Sequence, residues 1–328
     1  MKLAVLGAGA WGTALAAHWA GPHDVVLWGR SAAELDAMRA QRVNARYLPD
    51  CPLPTALAFE ADFDAAADAA ELIVVSVPTH ALRATLAALA RQPALPPLIW
   101  VCKGFEPGSG KLPHQLVAEC LPPDARAGVL SGPSFAQEVA RGCPTVLTLA
   151  STDAALAHRL AEALSGQRMR IYAHHDVIGV EIGGALKNVM AIAAGICDGL
   201  ALGHNARAAL VTRGLAEMTR LGIRLGGHAE TFMGLSGLGD LILTATGDLS
   251  RNRQVGLRLA QGRPLDAILA ELGHVAEGVP TAREVDALAA ALGVDLPITR
   301  AVCRILNGAL PAAQAVDALL NREIKTEF

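Results

Sequence analysis

A single lysine stands in a helix-like stretch of small and apolar residues, E-I-G-G-A-L-K-N-V-M-A-I-A-A-G-I (181–196). No carboxylate lies three or four positions from Lys187, so no local ion pair accounts for it. Gly183, Ala191 and Ala194 share its face and are all small, so a second element could approach closely and bury the ammonium. A buried ammonium is costly unless it is paired or can lose its proton. That makes Lys187 a candidate general acid/base. The alternative is a lysine that snorkels from a core helix to the surface.

Other residues could work with it. In G-L-S-G-L-G-D-L-I-L-T (234–244), glycines crowd one acid before the chain turns helical. Asp240 either caps that helix or faces Lys187 and sets its position. L-S-R-N-R (249–253) precedes another helix, and Ser250, Arg251 and Asn252 there form an anion cradle. The alternative is a capped helix with a solvated basic first turn, but arginines at a helix start oppose its dipole, which hints at an anionic ligand. Glu277, in the glycine-bounded H-V-A-E-G (274–278), could reach a cofactor or serve ordinary loop chemistry.

The elements that position this chemistry begin at residue 2. An apolar run at 2–6 is followed by G-A-G-A-W-G (7–12) and a helix-like T-A-L-A-A-H-W. Between a strand and a helix, G-x-G-x-x-G is a dinucleotide fingerprint. Gly7 allows the tight turn, Gly9 a close backbone approach to pyrophosphate, and Gly12 helix–strand packing. Trp11 either covers the cofactor or packs beside the turn. The second strand, 25–28, ends in Gly29-Arg30-Ser31, with no carboxylate until Glu34. NAD-selective folds place an acid there, whereas an arginine can receive a 2′-phosphate. Arg30 therefore points to NADPH, against the alternative of a solvated loop arginine. Further strands are expected at 71–77, 98–102, 128–130, 144–150 and 169–172, with helices at 31–42, 81–91, 134–141 and 156–164. The segment 47–54 reads as a Pro-rich connection. Lys103 leaves one strand for K-G-F, and S-G-P-S-F-A (131–136) follows another. Ligands sit at the carboxyl ends of such strands, which places Lys103 to reach cofactor or substrate, against the alternative of a lysine that simply leaves a strand for water.

From residue 176 the strand signals vanish, and Ala/Leu-rich helical patterns fill 177–201, 206–224, 252–261, 281–292 and 298–307. The expected fold is thus an α/β Rossmann-like doubly wound parallel sheet (1–177, binding NAD(P)) followed by an all-α domain (178–328) for substrate binding and catalysis. With 328 residues, 52% hydrophobic, 18% charged and a formal net charge of −3, the chain reads as a globular enzyme with no basic field for nucleic acid. Its six cysteines form no C-x-x-C pair, so neither a zinc site nor a disulfide framework is indicated, and free thiols suit the cytoplasm. The apolar N-terminus, cut by three glycines, reads as folded structure and not as a signal peptide. The apolar stretch near 179–203 carries Glu181, Lys187, Asn188 and Asp198, which a membrane span would not tolerate. The helical half has the composition for either homodimer contacts or an internal core.

G-A-G-A-W-G-T-A-L-A (7–16), V-C-K-G-F (101–105), S-G-P-S-F-A (131–136), G-A-L-K-N-V-M-A-I-A-A-G (184–195), G-L-G-D-L (237–241), S-R-N (250–252) and E-G (277–278) together resemble the bacterial NAD(P)-dependent glycerol-3-phosphate dehydrogenases. The resemblance spans nearly the whole chain. The lysine–asparagine helix with G-L-G-D-L and S-R-N is specific to that family, whereas the glycine fingerprint is not. It implies reversible reduction of dihydroxyacetone phosphate to sn-glycerol 3-phosphate for glycerophospholipid synthesis, with NADPH as cofactor and NAD also usable. By the same resemblance, Lys187 is the proton donor/acceptor at the substrate C2 oxygen, and Lys103 and Asp240 line the substrate. Ser250, Arg251 and Asn252 bind it, Arg251 near its phosphate and the cofactor. Gly132 and Ser134 also touch substrate, and Ala136 the cofactor; Trp11, Arg30, Val275 and Glu277 hold NADPH. One departure is Ala10, where the family often has serine, which removes one hydroxyl contact to the cofactor. A β-hydroxyacid or 6-phosphogluconate dehydrogenase shares the two-domain plan but separates its catalytic lysine and asparagine, which are adjacent here. A catalytically inactive NADPH sensor would not need Lys187, Asp240 and the Ser-Arg-Asn cluster together.

Overall fold

The computed structural model describes residues 1–68, 70–166, 168–273 and 276–321. The chain forms two compact units, Met1–Glu106 with Lys111–Glu181, and Pro107–Gly110 with Ile182–Phe328. In the first, the strands are β1 (Lys2–Leu6), β2 (Asp24–Trp28), β3 (Val43–Asn44), β4 (Leu48–Pro52), β5 (Ala58–Glu60), β6 (Leu72–Val75), β7 (Leu98–Trp100), β8 (Ala127–Ser131), β9 (Thr145–Ala150) and β10 (Met169–His174). Eight of them make one sheet in the order β10-β9-β8-β7-β6-β1-β2-β5. The chain starts at β1, builds outward through β2 to β5, then returns to β6 and builds the other way. The reversal between β1 and β6 is the switch point at which open α/β sheets bind ligands.

Both faces of the sheet are covered at its centre, which is why β1, β6 and β7 are apolar runs without alternation, whereas the edge strand β10 alternates buried and exposed residues. Leu3 and Val5 enter one core cluster with Leu15 and Trp19. Ala4 and Leu6, pointing the other way, enter a second with Leu82 and Leu86.

From β5 across to β8 every pairing is parallel, as the doubly wound reading expects. The last two strands differ. β9 runs antiparallel to β8, with Leu130 opposite Leu149, and β10 follows β9 in parallel. The only helix between β8 and β9, Ala136–Ala140, has five residues. It spans about 7–8 Å, too little to carry the chain back along a strand of about 17 Å. Two other elements lie where a Pro-rich connection was expected and just beyond it. The antiparallel hairpin β3–β4 occupies 43–52, and the short strand β5 closes the edge. Helices Phe63–Asp68 and Pro113–Cys120 are additions, the latter with proline in its first turn.

The second unit is helical. The helix Val177–Gly199 enters it at Ile182 and is followed by Gly203–Arg224, Ala229–Met233, a π-helical turn at Leu235–Gly239, Asp240–Thr246, Arg251–Ala260, Leu265–Leu272, Gly278–Leu292, Pro297–Leu306 and Ala312–Leu320. Glu217, only 2% exposed, accepts from Ile298 N at 2.6 Å and Thr299 N at 3.1 Å, and so caps the helix Pro297–Leu306 from a distance. Among the described residues Val177–Gly199 alone is long and apolar enough to cross a membrane, but 89% of its apolar window is buried inside the chain. It is a core helix.

Candidate functional site

The glycine-rich loop has the geometry that its fingerprint requires. Gly7 has φ +127°, and a Cβ there would lie 2.5 Å from the Ser76 carbonyl oxygen. A Cβ on Gly12 would sit 2.0 Å from the Gly7 carbonyl oxygen, so the helix Ala10–Trp19 meets the turn without an intervening side chain. Around Gly9 nothing lies within 4 Å of a Cβ position. No side chain caps this helix, and its first turn holds no acid. An open space over an uncapped helix N-terminus fits the pyrophosphate of a dinucleotide. Trp11 packs against the core cluster beneath the sheet.

At the end of β2, Arg30 is exposed and Ser31 caps the helix Ala32–Gln41 by accepting from Glu34 N at 3.2 Å. The Glu34 carboxylate is held by Arg46 at 2.8 Å. Lys103, Gly132 and Ser134 come together at the ends of β7 and β8. The Lys103 ammonium donates to the Gly132 carbonyl at 3.3 Å, and the Ser134 hydroxyl donates to the same oxygen at 3.2 Å. Thr79 donates to the Lys103 carbonyl at 3.2 Å. Gly132 takes φ +139° with Leu147 close behind, which keeps this corner tight. Ala136 opens the short helix that follows, half-buried.

In the second unit Lys187 does not snorkel. It is 6% exposed, and its ammonium donates to Oδ1 of Asp240, which is 0% exposed. Small residues are the cause. A Cβ on Gly183 would lie 2.3 Å from the Ser236 carbonyl oxygen, so the turn Leu235–Gly239 lies directly on this helix and delivers Asp240. Asp240 is the first residue of its helix and not its cap, and the Thr244 hydroxyl donates to its backbone carbonyl at 2.7 Å, with the carboxylate 3.3 Å away. A buried ion pair contributes little net stability after desolvation. Its placement is better explained by chemistry.

Ser250 caps the helix Arg251–Ala260, accepting from Arg253 N at 3.2 Å. Arg251 is exposed. Asn252 is buried, and its amide donates to Asn188 Oδ1 at 2.9 Å while accepting from Gly278 N at 3.0 Å. It thereby ties the lysine-bearing helix to the residue after Glu277, which is half-buried at the start of the helix Gly278–Leu292. Val275 lies outside the described residues.

Three features escaped the sequence reading. Glu181 is buried and accepts from Trp100 Nε1 and the His114 backbone N, both at 2.9 Å, with the His114 ring against its other oxygen. Burial pushes its carboxyl up from the ordinary range. The signal was available, because Glu181 too has no partner three or four positions away. Second, Arg253 is not a solvated base. It donates to Asp198 at 2.7 Å and Asp248 at 2.8 Å, which accounts for one of the two arginines opposing the helix dipole. Third, Asn44 of β3 reaches into the glycine loop.

Comparison with known proteins agrees with this construction. Residues 2–157 match the model of the NAD-dependent glycerol-3-phosphate dehydrogenase N-terminus and residues 176–317 that of its C-terminus. A glycerol-3-phosphate dehydrogenase [NAD(P)+] of Thiobacillus denitrificans is 76% identical over the full length of both chains. One from Dechloromonas aromatica is 58% identical, again over the full length of both. The crystal structure of a glycerol-3-phosphate dehydrogenase from Coxiella burnetii superposes with a TM-score of 0.93 at 43% identity, covering 98% of this chain and 99% of that one. The chain belongs to the NAD(P)-dependent glycerol-3-phosphate dehydrogenase family and is an oxidoreductase of that activity.

Proposed function

We propose that the enzyme works as a reductase of dihydroxyacetone phosphate, that its product sn-glycerol 3-phosphate feeds glycerophospholipid synthesis in the cytoplasm, and that Lys187 is its general acid/base. The observation that carries this reading is the buried Lys187–Asp240 pair. When bound, the nicotinamide supplies the hydride for C2. Lys187 donates its proton to the developing C2 alkoxide, and its positive charge stabilises that oxygen in the transition state. Asp240 holds the ammonium in place, and Thr244 steadies Asp240. Lys103, fixed by the Gly132 carbonyl, adds positive charge for the substrate, with Gly132 and Ser134 beside it. Arg251, exposed at a helix start, takes the substrate phosphate together with Ser250 and Asn252. Binding energy gathered there is remote from C2 and orients it.

Residues 1–177 would form the NAD(P)-binding domain and 178–328 the helical substrate-binding and catalytic domain, each lending residues to the other's ligand. Gly7, Gly9 and Gly12 would cradle the pyrophosphate, and Trp11, Lys103, Ala136, Arg251, Val275 and Glu277 complete the cofactor set. Arg30 favours NADPH, and the first carboxylate after it in the chain, Glu34, is engaged by Arg46 and poorly placed to claim a ribose 2′-hydroxyl. The test follows NADPH absorbance with dihydroxyacetone phosphate. The native enzyme should oxidise NADPH rapidly, and Lys187→Ala should lose at least about 10³-fold in kcat, the upper part of the usual range for a positioned acid/base, while still binding NADPH. A Lys187→Ala enzyme within tenfold of native kcat removes the acid/base assignment.

A further inference from the structure

Asn44 lies in β3, outside the glycine fingerprint, and is 2% exposed. Its amide nitrogen donates to the Ala8 carbonyl at 3.1 Å and to the Thr13 hydroxyl at 2.8 Å. Its carbonyl accepts from Tyr47 N at 3.2 Å. The orientation of the amide is fixed by chemistry, because a backbone carbonyl only accepts and a backbone N–H only donates. Ala8 sits between the first two glycines of the fingerprint, and Thr13 follows the third, fully buried. One side chain therefore grips the loop on both sides of the helix start.

The consequence follows from peptide geometry. The Ala8 carbonyl and the Gly9 N–H belong to one planar trans unit and point in opposite directions. Holding the carbonyl against the hairpin β3–β4 aims the Gly9 N–H away from it, and Gly9 is the position around which space is open. Gly9, on one side of this peptide, tolerates most backbone angles and so restrains it little. Thr13 N bonds to the Gly9 carbonyl at 2.9 Å, and its hydroxyl bonds to Asn44, so the first helical turn is held by the same contact.

We infer that Asn44, with Thr13, is a positioning residue for cofactor binding, which fixes the loop peptide that faces the pyrophosphate of NAD(P)H. The inference rests on the reading of residues 7–12 as the pyrophosphate site. Without Asn44 the loop keeps its glycines but must be ordered each time cofactor binds, and that cost falls on cofactor affinity and not on the chemical step.

The experiment uses the full-length enzyme. NADPH Kd is measured by fluorescence titration, KM and kcat by NADPH oxidation, and Tm by thermal unfolding, for Asn44→Ala, Asn44→Asp, Thr13→Val, Thr13→Ser and Gly9→Val. Asn44→Ala and Thr13→Val should each raise the Kd and KM for NADPH about tenfold, with kcat and the KM for dihydroxyacetone phosphate within twofold of native. Thr13→Ser, which keeps the hydroxyl, should stay within twofold throughout. Asn44→Asp should exceed Asn44→Ala, because it sets a carboxylate against the Ala8 carbonyl. Gly9→Val fills the space over the helix N-terminus and separates the two ideas. If Gly9→Val leaves the NADPH Kd unchanged, the pyrophosphate reading fails and the role of Asn44 with it. If Gly9→Val weakens NADPH tenfold while Asn44→Ala and Thr13→Val lower only Tm, the loop binds cofactor and the positioning role is overturned. Should Asn44→Ala not fold, Thr13→Val decides.

Discussion

Replacing Gly183 by alanine adds one methyl group to the helix Val177–Gly199, and two effects of opposite sign follow. Helix propensity favours the change by about 1 kcal/mol. Packing opposes it. The new Cβ would stand 2.3 Å from the Ser236 carbonyl oxygen, 3.0 Å from its carbonyl carbon and 3.4 Å from Gly237 Cα. Ordinary carbon contacts begin near 3.5 Å, so the turn Leu235–Gly239 must retreat by about 1 Å. The obstacle is backbone, and no side-chain rotation relieves it. Overpacking of this kind costs about 1–3 kcal/mol, which outweighs the propensity gain. The larger effect is on activity. Asp240 follows the turn directly and holds the Lys187 ammonium, and a misplacement of about 1 Å at a catalytic group can cost about 10²-fold in rate. The assay is steady-state kcat with saturating NADPH and dihydroxyacetone phosphate, beside Tm and far-UV circular dichroism. The expected enzyme keeps its helix content and NADPH affinity, loses at least tenfold in kcat and melts a few degrees lower. A Gly183→Ala enzyme with native Tm and kcat within threefold of native would refute the idea that close approach of this turn places the Lys187–Asp240 pair for the reaction.

Glu181→Gln keeps the hydrogen bonds from Trp100 and the His114 backbone but removes the charge. Because burial raises the native carboxyl, the folded state holds its proton more tightly than the unfolded chain does. Native stability should therefore fall relative to the variant as pH rises above about 4.5, the unfolded carboxyl value, and urea unfolding curves that stay parallel from pH 4.5 to 8 would contradict this. Arg253→Met removes the partner of Asp198 and Asp248 but leaves Asp198 its second arginine, Arg207, at 3.1 Å. The loss should be about 1–3 kcal/mol of stability. The KM for dihydroxyacetone phosphate should rise several-fold more than kcat falls, because Arg251 and Asn252 share the loosened helix start; equal changes in both would place the effect elsewhere.

The first strand and the glycine turn were legible to the residue because two local signals coincide there, a buried apolar run and three glycines at fixed spacing. The Lys187–Asp240 pair was legible as one of two alternatives, since small residues permit a close approach without saying which element makes it. The hairpin β3–β4 was not, because Pro49 and Pro52 lie inside it and proline argues against strand. The reversal of β9 was hidden because connection length alone does not tell a crossover from a return. The contacts of Arg253 with Asp198 and of Asn44 with Thr13 span 55 and 31 positions, so neither leaves a trace in local spacing.

The smallness of the lysine-bearing helix has one physical explanation, and it also disposes of the resemblance to a membrane segment. A Cβ on Gly195 would lie 2.1 Å from the Arg253 carbonyl oxygen, as one on Gly183 would abut Ser236. These glycines lie on either side of Lys187, twelve residues apart, so two backbone segments rest on the helix, one bearing Asp240 and the other Ser250, Arg251 and Asn252. Side chains at those contacts would set each segment several ångströms farther off, beyond hydrogen-bonding reach of Lys187 and Asn188. The apolar remainder, buried in the chain, holds this frame rigid. The helix is therefore rich in glycine and alanine because backbone must meet backbone where the Lys187–Asp240 pair and the helix start at 250–252 are assembled. Each charged residue in it is met by a partner from another segment: Glu181 by His114, Lys187 by Asp240, and Asp198 by Arg253.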